Sequence, residues 1–442
     1  MTADPDSTQI VRFAAALKAG LDCFNGPAGV QGGGQRAVAD RKRPLLTAFS
    51  GGPDSTALVL LAEQYARRRG ISHQAVLIDH GLRPDSADEA SRVATRMRHF
   101  GIAIAIWRVN AVAPKGGIQS WARDQRYEIL TSIARETGSV LLLAHHEADQ
   151  AETVFMRLSR GSGLGGLGGM CPTRCLADIP VLRPLLEWRP DELLAVCRDF
   201  GCGFENDPSN QDRRFERVRV RQSLACFSGI GKDMAAGLIR LSAAAQSICC
   251  SVDAILEEQL ELPELFAEGY AVFSLAALRP LPDDLWRRVV GRPVMAVGGG
   301  DYLPSQAAFS RLRSRLEAGK PATLGSCRFN VMGGGAFCRI LREPGRNPPH
   351  LEISASVPVI YAGVWKVVSP LAGHIRMLGD SLPPAQWDGL PYALRQALPT
   401  IETLDGRVLY PHFTCKKYSD SVTGDATATF LALERVQNSC IE

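Results

Sequence analysis

Short apolar runs alternate with longer amphipathic stretches through the first half of the chain. The apolar runs predict buried strands at residues 44–49, 74–78, 102–107 and 139–144. The amphipathic stretches predict helices at 8–19, 55–68, 86–99 and 120–136, with another beginning near 148. Strands alternating with helices in this way are typical of βαβ units. The expected fold class is therefore α/β, a doubly wound parallel sheet covered by helices on both faces.

The alternation ends after about residue 190. Helices are predicted at 232–261, 282–297 and 305–318, and a strand pair at 322–342 around Gly333–Gly335. The proline-rich segment 343–349 breaks regular structure, and 353–368 is rich in Val, Ile, Tyr and Trp. These changes predict three domains: the α/β domain at 1–225, a mostly helical domain at 226–342, and a small mixed α/β domain at 350–442.

The composition is that of an ordinary globular protein, with 45% hydrophobic and 22% charged residues. The net charge of +4 does not by itself indicate a nucleic-acid partner. No apolar run approaches the roughly 18 residues of a membrane span, and the acidic N-terminus does not resemble a secretory signal. The twelve cysteines include no Cys-x-x-Cys pair, and Cys171 with Cys175 lacks further metal ligands nearby. We therefore expect a cytoplasmic protein with reduced thiols and no membrane contact.

A glycine-containing segment lies directly between the first predicted strand and its helix. It consists of Ser50, Gly51, Gly52, Pro53, Asp54, Ser55 and Thr56. The two glycines allow backbone N–H groups to approach an anion, and the helix N-terminus adds the positive end of its dipole. Asp54 would repel a phosphate unless a cation lay between them, so it indicates Mg²⁺. The lysine of the Walker A pattern is absent, which leaves a different kind of phosphate loop or a simple capped turn.

Two further polar motifs follow predicted strands. Asp79 and His80 end the second strand, and the strand at 139–144 is followed by His145, His146, Asp149 and Glu152. Ligands of open α/β sheets bind at the carboxyl ends of the strands, where all three motifs fall. Asp149 and Glu152 are three residues apart on a predicted helix and so share one face. Helix capping by the histidines and a solvated face for the carboxylates remain the alternatives.

Two later segments suggest contacts with a substrate. Residues 157–169 begin as a helix and end as a glycine-rich loop, which either closes over a bound substrate or simply connects two elements. Residues 213–221 contain five arginines, at 213, 214, 217, 219 and 221. Because the guanidinium fork binds phosphate oxygens, this stripe favours a nucleic-acid substrate over a solvated basic helix.

With these motifs, the chain resembles the N-type ATP pyrophosphatases, the PP-loop superfamily of adenine nucleotide alpha hydrolase-like domains. Within that superfamily it resembles the tRNA(Ile)-lysidine synthetase family. The resemblance rests on the Ser50–Ser55 loop and on five later segments in the family's order: Asp79–Arg83, Ala122–Tyr127, His145–Thr153, Arg160–Leu164 and Asp207–Asn210. One departure is Ala148, where the family often has a second Asp.

The resemblance implies an ATP-dependent ligase that uses Mg²⁺. ATP would adenylate the carbonyl oxygen at carbon 2 of the wobble cytidine of a tRNA(Ile) with a CAU anticodon, releasing pyrophosphate. Free L-lysine would then displace AMP, so that the tRNA reads AUA instead of AUG. The two later domains would bind tRNA. The sequence leaves the oligomeric state open, with a homodimer as one expectation.

The resemblance also implies roles for individual residues. ATP and its pyrophosphate would be bound by Ser50, Gly51, Gly52, Pro53, Asp54, Ser55, Thr56, Asp79 and His80. The catalytic group would comprise Asp54, His145, His146, Asp149 and Glu152. Within it, Asp54 would contact the metal, and Asp149 and Glu152 would bind lysine. The tRNA would be bound by Arg123, Arg126, Arg160, Arg217, Arg219 and Arg221.

Two other functional classes fit less well. A sulfur-transferring tRNA enzyme on the same fold, such as a 2-thiocytidine synthetase, typically needs a Cys-x-x-Cys pair, which this chain lacks. A non-catalytic module that only senses ATP would leave the pair Asp149 and Glu152 and the arginine stripe without a role.

Overall fold

A computed structural model describes residues 7–25, 43–82, 85–109, 111, 114, 116–176, 179–205, 214, 216–226, 234–300, 303–345, 348–379, 392–411 and 426–431. Apart from a few C-terminal residues, the chain divides into two compact units, residues 1–250 and 251–437. The division into three domains at 226 and 350 stays a prediction. The predicted loop at 26–34, Arg83, Asp207–Asn210 and Arg213 lie outside the described residues.

The first unit is built from alternating strands and helices. Its strands are β1 (Leu45–Phe49), β2 (His73–Asp79), β3 (Ile104–Arg108), β4 (Val140–Leu142), β5 (Thr173–Leu176) and β6 (Ile179–Leu182). Its helices are α1 (Ser7–Asn25), α2 (Pro53–Arg69), α3 (Ser86–His99), α4 (Ile118–Thr137), α5 (Glu147–Ser159), α6 (Leu164–Leu167), α7 (Pro190–Asp199) and α8 (Glu216–Cys226). A longer helix, α9 (Met234–Gln259), begins in this unit.

The strands of this unit form a single sheet in the order β3-β2-β1-β4-β6-β5. All described neighbours are parallel except β5, which pairs antiparallel with β6 at the edge. The predicted strands and the helices between them are confirmed, and so is the α/β fold class. The β5–β6 hairpin was not predicted from the sequence.

The core of the first unit shows why the strands are apolar throughout. Leu45 of β1 packs with Leu58 and Leu61 of α2, whereas the next residue, Leu46, packs with Leu130 and Ile133 of α4. Alternate side chains of a strand point to opposite faces of the sheet. Because both faces are covered, both sets of side chains are buried, which is the arrangement that the continuous apolar runs predict.

The second unit combines helices with antiparallel sheets. Its strands are β7 (Glu264–Phe266), β8 (Tyr270–Ser274), β9 (Ala322–Leu324), β10 (Cys327–Met332), β11 (Phe337–Arg342), β12 (Leu351–Ile353), β13 (Val359–Tyr361), β14 (Trp365–Val368), β15 (Gly373–Met377), β16 (Pro399–Thr403), β17 (Val408–Leu409) and β18 (Thr427–Phe430). Its helices are α10 (Leu275–Leu278), α11 (Asp283–Gly298), α12 (Gln306–Glu317) and α13 (Tyr392–Arg395).

These strands form three sheets, in the orders β7-β8-β11-β10-β9, β12-β15-β16-β17 and β13-β14-β18. The predicted strand pair is confirmed as β10 and β11, joined by a 3₁₀ turn at Gly333–Gly335. One apolar core joins Phe329 and Ile340 of the first sheet to Ile375 and Trp365 of the other two. The last two sheets therefore do not have a core separate from that of the preceding helices.

The helix α9 qualifies the expectation that no segment is long and apolar enough to cross a membrane. Within the part of the chain that the structure describes, Met234–Gln259 meets that criterion by length and composition alone. A single helix of this kind is weak evidence for a membrane span.

Candidate active site at the carboxyl edge of the sheet

The loop after β1 turns sharply into α2. Gly51 has φ +84°, a left-handed conformation that favours glycine. A Cβ at this position would also lie 3.3 Å from Cγ2 of Val93, so the space is tight. Pro53 occupies the start of α2, where the missing N–H costs no helical hydrogen bond. The loop and the helix N-terminus thus face the carboxyl edge of the sheet together.

Serine hydroxyls hold this loop in shape. The hydroxyl of Ser55 accepts a hydrogen bond from the backbone N–H of Ser50 at 3.2 Å and donates one to the carbonyl of Gly52 at 3.0 Å. It also lies 3.0 Å from the hydroxyl of Ser50. Thr56 differs, because its buried Oγ1 has no hydrogen-bond partner among the described residues. The three contacts of the Ser55 hydroxyl therefore stabilise the conformation of the loop.

Asp54 and Asp149 approach the same imidazole. Oδ2 of Asp54 lies 3.4 Å from Nε2 of His146, and Oδ2 of Asp149 lies 3.6 Å from the same nitrogen. His146 also caps α5, since its Nδ1 accepts the backbone N–H of Ala148 at 3.2 Å. In the neutral ring this bond leaves the proton on Nε2, facing the two carboxylates.

Opposing effects act on His146. Burial lowers the pKa of its imidazole, but the hydrogen bond to Asp54 and the charges of Asp149 and Asp54 outweigh burial and raise the pKa overall. Protonation of Nδ1 would remove the capping bond from Ala148, which works against the raised pKa. Nε2 of His146 thus lies between the carboxylates of Asp54 and Asp149, while its Nδ1 accepts the hydrogen bond from Ala148.

The neighbouring His145 is in a different electrostatic environment. Its Nδ1 accepts a hydrogen bond from Nε of the buried Arg183 at 3.3 Å. Burial, followed by the positive charge of Arg183, lowers the pKa of His145 to about 3. The imidazole is therefore neutral at physiological pH, with its proton on Nε2, and the ring is a hydrogen-bond donor at that atom.

Sequence reasoning missed Arg183. It directly follows β6, the strand beside β4, and Nη1 also donates to the carbonyl of Cys171 at 2.6 Å. Its position just after the buried run Ile179–Leu182 was the available signal, because a charged residue at that end of a parallel strand faces the ligand edge.

Glu152 is almost completely buried, with 1% of its surface exposed. Its Oε1 accepts a hydrogen bond from Nε of Arg221 at 2.6 Å, and its Oε2 has no partner among the described residues. Burial raises the pKa of this carboxyl group, and the hydrogen bond and charge of Arg221 partly offset the rise. One oxygen of a buried carboxylate is thus left to be satisfied by something else.

The second strand contributes Asp79 and His80. Oδ1 of Asp79 accepts the backbone N–H of Gly81 at 2.9 Å, which fixes the turn after β2. Both ring nitrogens of His80 are buried and have no hydrogen-bond partner among the described residues. Burial, and then the charge of Arg126, lowers the pKa of His80. A neutral imidazole with unsatisfied nitrogens is suited to hydrogen bonding with a ligand.

The structure places the predicted tRNA-binding arginines in different settings. On α4, Arg126 is exposed and Arg123 lies over the ring of Tyr127 at 4.9 Å. Arg160 pairs with Glu216 at 2.6 Å on the surface. On α8, Arg217 and Arg219 are exposed. Of the six predicted arginines, Arg221 is the one whose ion pair is with a residue of the predicted catalytic group.

The glycine-rich segment after α5 is held in place by hydrogen bonds from side chains. It contains α6, and Arg157 donates hydrogen bonds to the carbonyls of Gly166 and Gly169 at 3.0 and 2.8 Å. The buried amide of Gln150 bonds both the N–H and the carbonyl of Met170. Glycine is required at Gly169, where φ is +70° and a Cβ would lie 2.8 Å from the Gln150 amide.

The fold and the site together define a class. A doubly wound parallel sheet with a Ser-Gly-Gly-Pro-Asp-Ser loop after β1, and with carboxylates and histidines at the same edge, is that of a PP-loop nucleotide-binding protein. Residues 33–226 match the family model described as a PP-loop domain. This match covers the sheet and every element that supplies the site.

Comparison with curated proteins defines the family more closely. The tRNA(Ile)-lysidine synthase of Ruegeria pomeroyi is 32% identical to the chain, over 82% of this chain and 87% of the relative. That of Novosphingobium aromaticivorans is 39% identical, over 65% of this chain and 86% of the relative. That of Hyphomonas neptunium is 32% identical, over 78% of this chain and 95% of the relative. The chain belongs to the tRNA(Ile)-lysidine synthase family.

Proposed function

We propose that the chain ligates L-lysine to carbon 2 of the wobble cytidine in a tRNA(Ile) with a CAU anticodon. ATP first adenylates the cytidine and releases pyrophosphate, and lysine then displaces AMP. The observation that carries the proposal is the convergence of Asp54, Asp149 and His146 at one point, with the nearly buried Glu152 also on α5. Family membership supports the same reaction.

The first half-reaction needs groups that bind the leaving pyrophosphate. The backbone N–H groups of the Gly51–Ser55 loop and the positive end of α2 are placed to stabilise the charge that grows on it. Thr56, with its unpartnered buried hydroxyl, and His80, with its unpartnered ring nitrogens, are donors that ATP would satisfy. Preorganised donors of this kind cost little reorganisation during the reaction.

Mg²⁺ fits the residues of this site. Within the described part of the chain, no group of three or more His, Cys, Asp or Glu side chains could hold a metal on its own. Mg²⁺ needs only one or two carboxylates together with substrate phosphates, and Asp54 at the phosphate loop meets that requirement. When bound, Mg²⁺ would neutralise charge on the phosphates.

The second half-reaction needs a site for an ammonium group. Lysine has a reference pKa of about 10.4 and arrives protonated. Asp149 and the free Oε2 of Glu152 are the carboxylate oxygens proposed to bind it, and one of them accepts the proton that the amine must lose. His145, with its pKa of about 3 and its Nδ1 occupied by Arg183, acts as a donor that orients the base.

The substrates on this proposal are the tRNA, ATP and free lysine, in the cytoplasm, and the proposed assembly is a homodimer. The exposed arginines of α8 beside the site would bind the tRNA backbone. A direct test measures pyrophosphate release with a CAU-anticodon tRNA(Ile) transcript and with the same transcript carrying U at the wobble position. We expect release only with the CAU transcript. Release that does not depend on the anticodon would refute the proposed substrate.

A further inference from the structure

A short segment after α7 packs against the phosphate loop (Ser50–Ser55). Cys202 is buried in the same apolar core as Val93 of α3. Three residues later, the backbone N–H of Glu205 donates a hydrogen bond to the carbonyl of Gly51 at 2.9 Å. These two residues are far apart in the chain, so the tertiary fold, and not the loop itself, supplies this donor.

Arg96 of α3 fixes this segment through two hydrogen bonds. Its Nη2 donates to Oε1 of Glu205 at 2.8 Å, and its Nη1 donates to the carbonyl of Gly203 at 3.2 Å. Val93, one turn earlier on the same helix, lies beside Gly51, since a Cβ at that glycine would be 3.3 Å from Cγ2 of Val93. The helix α3 thus contacts the phosphate loop directly and also through Glu205.

The hydrogen bond from Glu205 sets the direction of one peptide group in the loop. The C=O and N–H of a trans peptide point in opposite directions, and no peptide bond among the described residues is cis. Because the carbonyl of Gly51 is turned towards Glu205, the N–H of Gly52 points away from it. Within the described residues nothing accepts a hydrogen bond from this N–H. It is therefore available to a phosphate oxygen, as are the first N–H groups of α2.

The two glycines make the direction of this peptide group reversible. The observed φ of Gly52 is −73°, and a half-turn of the peptide between Gly51 and Gly52 would make it positive. Most residues resist a positive φ, but glycine adopts both signs with similar ease. The rotated peptide would present the Gly51 carbonyl, instead of the Gly52 N–H, to a phosphate. A contact from outside the loop is therefore needed to keep the N–H in place, and Glu205 supplies it.

We propose that Arg96 and Glu205 are positioning residues for the phosphate loop. Arg96 holds Glu205, and Glu205 holds the Gly51–Gly52 peptide with its N–H turned towards the pyrophosphate of ATP. The inference rests on the proposed binding of pyrophosphate by this loop. The two side chains are 31% and 28% exposed, and an ion pair at that exposure contributes little to the stability of the whole protein. Its removal should therefore change ligand binding without unfolding the chain.

The test measures the dissociation constants of the full-length protein for ATP with Mg²⁺, for inorganic pyrophosphate and for AMP, by calorimetry without tRNA or lysine. Arg96→Ala should weaken the binding of ATP and of pyrophosphate by about tenfold, the effect of losing one hydrogen bond to a charged group. AMP lacks the two phosphates that the loop binds and should keep its affinity. Arg92→Ala, which removes the same charge from an exposed position one turn away on α3, should bind all three ligands as the parent does.

A double variant distinguishes positioning from general damage. Since Arg96 acts through Glu205, Glu205→Ala should weaken ATP binding about as much as Arg96→Ala, and the double variant should be no weaker than either. Glu205→Gln retains an acceptor for Arg96 and should bind ATP more tightly than Glu205→Ala, which gives a comparison that does not need Arg96→Ala to fold.

Four results would overturn the proposal. These are equal weakening of ATP and AMP binding in Arg96→Ala, unchanged pyrophosphate binding in that variant, losses that multiply in the double variant, or equal ATP binding by Glu205→Gln and Glu205→Ala. None of these constants depends on lysidine formation, so failure of this proposal and failure of the proposed reaction can be told apart.

Discussion

Nε of Arg221 lies 2.6 Å from Oε1 of Glu152, and Oε2 of the same buried carboxylate has no partner in the described residues. The pair joins a residue predicted to bind lysine to a residue predicted to bind tRNA. The Arg221 side chain is 51% exposed, so it remains open to a phosphate while its Nε is bound to Glu152. Changes at either residue should therefore affect both substrates, which separate sites would not do.

Glu152→Gln should impair the second half-reaction more than the first. The amide keeps the shape and hydrogen bonding of the carboxylate but removes its charge, so lysine should lose about 1.5–3 kcal/mol of binding free energy. That corresponds to a roughly ten- to hundredfold higher lysine requirement. Quenched-flow chromatography of labelled AMP–tRNA adduct and lysidine, at several lysine concentrations, should show the adduct accumulating.

A matched control is available for this change. Glu192→Gln changes another ion-paired glutamate of the first unit. Glu192 lies on α7, and its Oε1 is 2.8 Å from Nη1 of Arg12 on α1. This substitution should leave the lysine requirement unchanged. If Glu152→Gln abolished adduct formation without altering lysine dependence, Glu152 would serve ATP or Mg²⁺ instead of lysine.

Replacing Arg217 and Arg219 by Ala should weaken tRNA binding and reduce its salt dependence. Both side chains are exposed on α8, and each lost phosphate contact lowers the salt slope by roughly one unit. Filter binding at several salt concentrations measures both quantities, and ATP affinity should stay the same. Arg69→Ala with Arg98→Ala, at the far ends of α2 and α3, is the matched control. If the salt dependence of tRNA binding is unchanged in the α8 variant, these arginines form a solvated face and do not contact the tRNA.

Asp54→Asn should abolish most of the Mg²⁺-dependent pyrophosphate release while leaving tRNA affinity nearly intact. The amide cannot balance the charge of a metal bound to phosphates, whereas the arginines proposed to bind tRNA are on other elements. Asp88→Asn changes an exposed carboxylate that also lies in the first turn of a helix, α3, but away from the site, and should have no effect. Equal pyrophosphate release from Asp54→Asn and the parent would exclude a role for Asp54 in binding Mg²⁺.

The lowered pKa of His145 predicts a pH-dependent contribution to stability. Because the folded value is about 3 and the ordinary value is about 6.5, the unfolded chain binds a proton in this interval that the folded chain does not. The stabilisation is therefore complete above pH 6.5 and is lost as the pH falls towards 3. In this interval the free energy of unfolding should decrease by up to about 1.4 kcal/mol for each pH unit that the pH falls. Urea unfolding of the parent and of His145→Gln, between pH 7.5 and 5, should show a flatter profile for the variant. Parallel profiles would mean that His145 titrates normally.

Local patterns predicted much of the fold and a part of the site. The continuous apolar runs identified β1 and β4, because strands buried on both faces have no polar alternation. The strand-end rule brought Asp54, His146 and Asp149 to one edge, as the structure has them. The pairings with Arg183 and Arg221 were not predictable, since each depends on tertiary contacts between residues 38 and 69 positions apart.

The glycine-rich segment shows a different limit of sequence reasoning. Its composition predicted a glycine-rich loop that either closes over a substrate or connects two elements, and the structure shows that its carbonyls accept hydrogen bonds from Arg157 and Ser242. Glycine content reports backbone freedom in the unfolded chain, whereas the folded conformation is decided by the donors that surround the segment.

The most direct test of the central claim is mass spectrometry of nucleosides from a CAU-anticodon tRNA(Ile) incubated with the protein, ATP, Mg²⁺ and isotopically labelled lysine. The account predicts that the wobble cytidine gains the labelled lysine, and that omission of either ATP or lysine prevents this. An unmodified cytidine under the complete conditions, or a cytidine modified without incorporation of the label, would contradict it.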